Sequence, residues 1–129
     1  MRKLLWVVFA LLFVVTACSG PTPEELASLA AKGYYEHLIH GEYEHFLDGK
    51  CDANSLPNDY REQLLTSYRQ FMAQQEQVHH GIREIRISRA TTDTLQQYTN
   101  VFLVLCYGDS VNEEIVVPMV EQAGCWWMR

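Results

Sequence analysis

The N-terminal segment constrains this chain most, because it is apolar, short and ends at a cysteine. Arg2 and Lys3 carry positive charge, and residues 4–15 that follow are uninterruptedly apolar. This run has 12 residues, whereas a helix needs about 20 to cross the hydrocarbon core of a bilayer. Small residues follow the run and end at Ala17, directly before Cys18. A basic start, an apolar stretch and a small-residue end are typical of a secretory signal peptide.

The position of Cys18 resembles the lipobox of bacterial lipoproteins, in which a peptidase cuts before the cysteine and acyl chains are attached to it. The resemblance implies a signal peptide over residues 1–17, a lipidated tether over 18–22 and a single domain over 23–129. We therefore predict an exported protein that is anchored to the cell envelope by lipid, such as palmitate, attached to Cys18. Ser19 after the anchor indicates sorting to the outer membrane. The alternative is an ordinary buried thiol beside a short membrane-like helix.

Charge and cysteine content narrow the range of partners. Cleavage before Cys18 removes Arg2 and Lys3 and leaves 8 basic against 16 acidic residues, a formal charge of −8. Such an excess of negative charge repels phosphate, so we expect no nucleic-acid partner, and we expect the lipid alone to attach the protein to the membrane.

The sequence leaves two alternatives for the other cysteines, which are Cys51, Cys106 and Cys125. They are buried thiols, or one disulfide bridge joins Cys51 to one of the two strand cysteines. Their spacing matches no zinc pattern, so we predict neither a metal nor a cofactor.

Three helices are predicted after the tether. Thr22 can cap the first helix and Pro23 suits its first position, and Gly41 ends it. A short second helix covers residues 42–48, and a third runs from 58 or 59 to 77. The three-four spacing of the first helix predicts a buried stripe of Leu26, Leu29, Ala30, Gly33, Tyr34, His37 and Leu38.

From Gly81 the apolar period changes to two, which predicts strands. The first strand turns at residues 91–93, the second runs over 95–107, the third over 111–120 and the last over 125–129. Helices followed by four hairpin-linked strands predict an α+β fold, with three N-terminal helices packed on a curved four-stranded antiparallel meander sheet. The second strand is apolar on both faces. We place Phe102 on the inner face, and Leu103 and Leu105 on an outer face that a homodimer or another partner covers; the alternative is a modest exposed apolar patch.

The order of these segments resembles the small bacterial lipoproteins of the nuclear-transport-factor-2-like (cystatin-like) superfamily, and more narrowly its lumazine-binding-like family of unknown function. The matching segments are Gly-Glu-Tyr-Glu-His-Phe-Leu at 41–47, Gly-Ile-Arg-Glu-Ile-Arg-Ile at 81–87, Tyr-Gly-Asp at 107–109, Val-Val-Pro-Met-Val at 116–120 and Gly-Cys-Trp-Trp-Met-Arg at 124–129. Cys125 departs from the family, which typically has lysine there. The resemblance implies a cone-shaped sheet around a helix, often with an apolar pocket, and does not imply a reaction.

The predicted site is a pocket for an apolar or aromatic small molecule, lined by Tyr34, His37, Phe46, Tyr68 and Phe102. Plain core packing of these aromatic residues is the alternative. A second cluster could form a metal site or an acid–base pair: Glu36, His37, His40, Glu44 and His45. It lacks metal spacing and is interpreted as a solvated helix face with one histidine at the edge of the core, and His79 and His80 are interpreted as loop residues.

Function is predicted to be non-enzymatic: a small-molecule-binding or interaction module of the cell envelope. The alternative is a pocket enzyme of the hydratase or isomerase type, in which His37 acts as the base with Tyr34 or Tyr68.

Overall fold

The computed structural model describes residues 20–129, so the predicted signal peptide, its predicted cleavage and the predicted lipidation of Cys18 lie outside the described residues. Its helices are α1 (Pro23–Ile39), α2 (Tyr43–Asp48) and α3 (Asn58–His79), with a 3-10 turn at Ala53–Ser55. Its strands are β1 (Ile82–Asp93), β2 (Tyr98–Tyr107), β3 (Asn112–Gln122) and β4 (Cys125–Met128). They pair antiparallel in the order β1-β2-β3-β4. The predicted α+β meander is confirmed. No helix within residues 20–129 combines the length and apolarity needed to cross a membrane.

The start of α1 follows directly from its capping residues. Thr22 Oγ1 accepts a hydrogen bond from the backbone N–H of Glu25 at 3.2 Å, and Pro23 occupies the first helical position. This satisfies one of the free N–H groups of the first turn, as an N-cap should. The helix ends at Ile39, and Gly41 then reverses the chain at φ 78°.

The buried stripe of α1 agrees with the predicted one at Leu38, which is 4% exposed, and differs from it in the first half of the helix. Ala27 and Ala31 are completely buried, whereas Leu26 and Leu29 are 42% and 62% exposed. Short side chains let the helix axis come close to the sheet, and the leucines are turned towards solvent as a result. Spacing alone could not separate the two stripes, because apolar residues recur on both sides of this helix.

The predicted turn at residues 91–93 is wrong, because β1 continues to Asp93. Thr92 pairs with Thr99 across the hairpin, and their hydroxyl oxygens lie 3.2 Å apart. Asp93 makes the turn itself: its Oδ1 accepts the backbone N–H groups of Leu95 and Gln96 at 3.0 and 3.1 Å. An aspartate that binds its own downstream backbone is a turn signal, whereas β-branched threonines favour the strand.

The two faces of β2 are the reverse of the prediction. Leu103 and Leu105 face the helices and are 0% and 3% exposed. Phe102 lies on the outer face, where the guanidinium of Arg89 sits 3.7 Å from its ring centroid. Strand alternation shows which residues share a face, but both faces of β2 are apolar, so it could not show which face meets the helices.

The outer sheet face therefore carries Phe102 together with Val104, Val116, Pro118 and Val120, which share its side of the register. Val116 is 48% exposed, and the others are half-buried. The sequence prediction places Leu103 and Leu105 at the homodimer contact, but both residues are in the core. A homodimer through the outer face stays a prediction.

Candidate functional site

A groove of about 440 Å³ opens between the three helices and the inner face of the sheet. This volume lies within the range of small-molecule sites, roughly 300–1,000 Å³. Most of its lining is apolar, and every helix contributes to it, as do β2 and β3. Its aromatic residues are Tyr35, Phe46, Tyr68, Phe71 and Tyr107, and its polar side chains besides the phenols are Gln75 and Glu113.

The aromatic wall is built around Phe46 of α2. Tyr35 of α1 meets the Phe46 ring edge-on, with centroids 5.1 Å apart and planes at 78°. Tyr68 of α3 meets it from another side at 5.0 Å and 81°. Edge-to-face pairs of this kind are the favoured aromatic geometry. Three helices are therefore held together by rings that also form one side of the groove.

The opposite end of the groove is polar. Tyr107 is only 5% exposed, and its hydroxyl donates a hydrogen bond to Glu113 Oε2 at 2.7 Å. Glu113 reaches it because the β2–β3 register places that residue opposite Leu105, on the inner face. Burial, the Glu113 carboxylate and the nearby Asp109 raise the pKa of Tyr107 to about 12.

His79, the last residue of α3, contacts Asp109 and Tyr107 at this end of the groove. The C-terminus of α3 is tied to the β2–β3 turn, because Gly108 N–H bonds Gly81 O at 2.8 Å and Asp109 N–H bonds His79 O at 3.0 Å. A Cβ on Gly108 would collide with the His80 carbonyl, so glycine permits this close approach. His79 Nδ1 lies 2.8 Å from Asp109 Oδ2, and its ring stacks on Tyr107 at 4.4 Å. The hydrogen bond to His79 lowers the pKa of Asp109.

Two of the five predicted pocket residues, Phe46 and Tyr68, line this groove, and three lie elsewhere. Tyr34 points towards β4, where its hydroxyl donates to the Trp126 carbonyl at 2.7 Å. Phe102 is on the outer sheet face for the reason given above. The five residues thus do not meet in one cavity.

His37, the remaining predicted residue, lies at the surface with 42% of its side chain exposed. Its Nδ1 is 3.2 Å from Glu42 Oε1, and its ring stacks on His45 at 5.1 Å. Both contacts are with α2 and the turn before it, away from the groove. Within residues 20–129, no three His, Cys, Asp or Glu side chains converge as metal ligands. The thiols of Cys51, Cys106 and Cys125 are free.

Three residues important to the groove were missed from the sequence: Tyr35, Tyr107 and Glu113. A signal existed for the two tyrosines. Tyr107 continues the alternation of Leu103 and Leu105, and Tyr35 lies four residues after buried Ala31. Glu113 carried no such signal, because its place depends on the hairpin register.

The raised pKa of Tyr107 predicts an alkaline loss of stability. Between the ordinary phenol value of 10.0 and about 12, the unfolded chain releases this proton while the folded chain keeps it. The free energy of unfolding should therefore fall as the pH rises through that window. Burial also raises the pKa of Tyr35 and Tyr68, so Tyr107→Phe should make the decline shallower without abolishing it.

Denaturant unfolding at several pH values checks the slope, and near-ultraviolet tyrosinate absorbance checks the ionisation directly. Tyr107→Phe should remove the ionisation near pH 12, whereas Tyr60→Phe, at a 47% exposed position of α3, should leave it in place. An unchanged titration in Tyr107→Phe would contradict the assignment.

Comparison with known proteins adds to this picture at the level of the fold. No protein-family model matches the chain, and no curated protein matches it. Among solved structures, a Campylobacter jejuni protein whose name places it with the NTF2-like transpeptidases superposes with a TM-score of 0.61. The match covers 76% of this chain and 92% of that one at 12% sequence identity. The fold is NTF2-like. At this identity the likeness shows the NTF2-like fold alone.

Proposed function

We propose that this protein is a lipid-anchored component of the bacterial envelope that binds an apolar or aromatic small molecule without chemically changing it. The main support for the binding role is the groove between the helices and the inner face of the sheet. It has about 440 Å³, an aromatic wall from three helices and a polar end at Tyr107 and Glu113. Apolar walls with a few placed polar groups are typical of small-molecule sites.

The anchoring part of the proposal rests on the sequence that precedes the described domain. A basic start, 12 apolar residues and small residues before Cys18 favour an exported lipoprotein, sorted to the outer membrane by Ser19. Together with the NTF2-like fold, this supports membership among the small lipoproteins of that superfamily, and more narrowly in its lumazine-binding-like family.

Binding is favoured over transpeptidation, the activity in the name of the Campylobacter protein. Transfer of a peptide acyl group through the enzyme needs a nucleophilic side chain. In the described part of the chain, the residues that line the groove include no serine, threonine, cysteine or lysine. The Tyr107 phenol, whose pKa is raised to about 12, keeps its proton at neutral pH and donates it to the Glu113 carboxylate in a hydrogen bond. His37, the base of the alternative enzyme hypothesis, is held by Glu42 outside the groove.

A blocking substitution tests the groove. Gln75 lines it from α3, and the neighbouring Gln74 is exposed and does not. We expect 4-tert-butylbenzyl alcohol to bind the purified mature chain with a dissociation constant of about 1 mM, which is ordinary for a ligand of its size. Gln75→Trp should weaken this binding about tenfold, because the indole fills space that the ligand needs.

Gln74→Trp is the matched control, since it adds the same side chain one position away on the same helix. Saturation-transfer NMR of the ligand measures both variants. Equal weakening by the two substitutions, or undiminished binding in Gln75→Trp, would contradict a binding role for this groove.

A further inference from the structure

The lining of the groove also indicates the class of ligand, and this inference rests on the proposed binding function. Five aromatic rings line the space, contributed by all three helices and β2. The face of an aromatic ring is the negative part of its quadrupole and attracts cations within about 6 Å of the ring centre. An apolar ligand needs only hydrophobic walls, whereas a wall this rich in rings also suits a positive charge.

Glu113 gives the groove a negative charge. One of its carboxylate oxygens, Oε2, accepts the Tyr107 hydroxyl, while Oε1 has no hydrogen-bond partner among the described residues. Glu113 is an exposed residue, so its carboxylate is held through one oxygen by a buried phenol while the other oxygen is available to a ligand. The raised pKa of Tyr107 agrees with a negative field here, since Glu113 and Asp109 both contribute to it after burial.

Within residues 20–129, no lysine, arginine or histidine lines the groove to offset this charge. Two basic side chains lie outside the lining near this end: His79 stacks on the Tyr107 ring and pairs with Asp109, and Arg83 Nε lies beside Gly108. The domain as a whole adds to the effect, because removal of residues 1–17 leaves a formal charge of −8. An anionic ligand would meet Glu113 without a counter-charge.

We propose that the groove binds an organic ammonium cation with an apolar body, its charge placed between the aromatic rings and the Glu113 carboxylate. The rings supply cation–π attraction and the carboxylate supplies the counter-charge. The apolar body fills the part of the groove formed by Leu38, Leu105 and Ile115.

Two ligands that differ only in charge test this proposal. 4-(Hydroxymethyl)phenyl-trimethylammonium carries a quaternary nitrogen where 4-tert-butylbenzyl alcohol carries a quaternary carbon, so the two have nearly the same shape. We expect the ammonium compound to bind the mature chain at least tenfold more tightly than the alcohol in saturation-transfer NMR. Glu113→Gln should reduce that preference to about threefold or less, with little change in binding of the alcohol.

Glu114→Gln is the matched control. Glu114 is the next residue of β3, faces the outer side opposite Val104, and contacts Ser88 at 3.2 Å and Arg89 at 3.9 Å. Glu114→Gln changes the net charge by the same amount as Glu113→Gln, but outside the groove, so the preference for the cation should remain. Equal binding of the two ligands would overturn the ammonium inference and leave the binding function standing. Equal loss in both variants would also overturn it, since general surface charge would then explain the preference. Failure of both ligands to bind would overturn the binding function as well.

Discussion

Cys18→Ser should yield a chain that carries no lipid and keeps residues 1–17, whereas the wild type should begin at an acylated Cys18. In the proposed lipoprotein, acyl chains are attached to Cys18 and the peptidase cuts directly before it, so both steps depend on this cysteine. Each buried methylene contributes about 0.8 kcal/mol to membrane binding, and a firm anchor takes more than one chain. Under this proposal, loss of the thiol removes the whole anchor, and the expected effect is all-or-none.

Intact-mass spectrometry of membrane and soluble fractions measures both the N-terminus and the attached lipid. Cys125→Ser is the control, because Cys125 is an exposed free thiol at the start of β4. It should leave cleavage and acylation unchanged. A wild-type chain that retains residues 1–17, or that begins at an unmodified Cys18, would end the anchoring proposal without affecting the groove.

The order and type of the elements could be predicted from the sequence because local signals determine them. Thr22 and Pro23 determine the start of α1, and Gly41 its end, through capping and backbone conformation. The meander order follows from short turns between consecutive strands. Where the prediction failed locally, at residues 91–93, two threonines were taken for a turn that Asp93 makes one step later.

Which face of an element meets its neighbours could not be predicted, because that choice is tertiary. Leu29 looks more suited to a core than Ala31, yet the helix approaches the sheet through its alanines and leaves Leu29 62% exposed. Likewise, Phe102 and Leu103 are neighbouring apolar residues on β2, and only the packing of α1 against the sheet determines which of them faces the core. In such cases, side-chain volume at the contact matters more than hydrophobicity.

The candidate site was predicted only in part for the same reason. Phe46 and Tyr68 belong to the aromatic wall, but the polar end depends on Tyr107 and Glu113, which meet through hairpin register. His79 joins them because Gly108 lets the β2–β3 turn touch the end of α3. The His79–Asp109 pair joins residues 30 positions apart, and such a contact produces no periodic pattern in a single sequence.

Leu103→Ala should reduce the free energy of unfolding by about 2–5 kcal/mol, a large share of the roughly 5–15 kcal/mol that holds a domain of this size folded. Leu103 is completely buried at the centre of β2, between Ile87 of β1 and Ile115 of β3. Truncation leaves a cavity that surrounding strands cannot close, because they are fixed by their ladders on both sides. Urea unfolding followed by circular dichroism measures the loss.

Val116→Ala is the comparison that separates the two sheet faces. It also places alanine in a central strand, so both variants carry a similar loss of strand propensity. Val116 lies opposite Phe102 on the outer face, borders the groove and is 48% exposed, so its truncation should cost less than about 1 kcal/mol. The face assignment would be wrong if the two losses were equal or reversed. We expect Leu103→Ala to lose more free energy of unfolding than Val116→Ala, by an amount that does not depend on protein concentration. That result would show that the helices, and not a second copy of the chain, pack against Leu103.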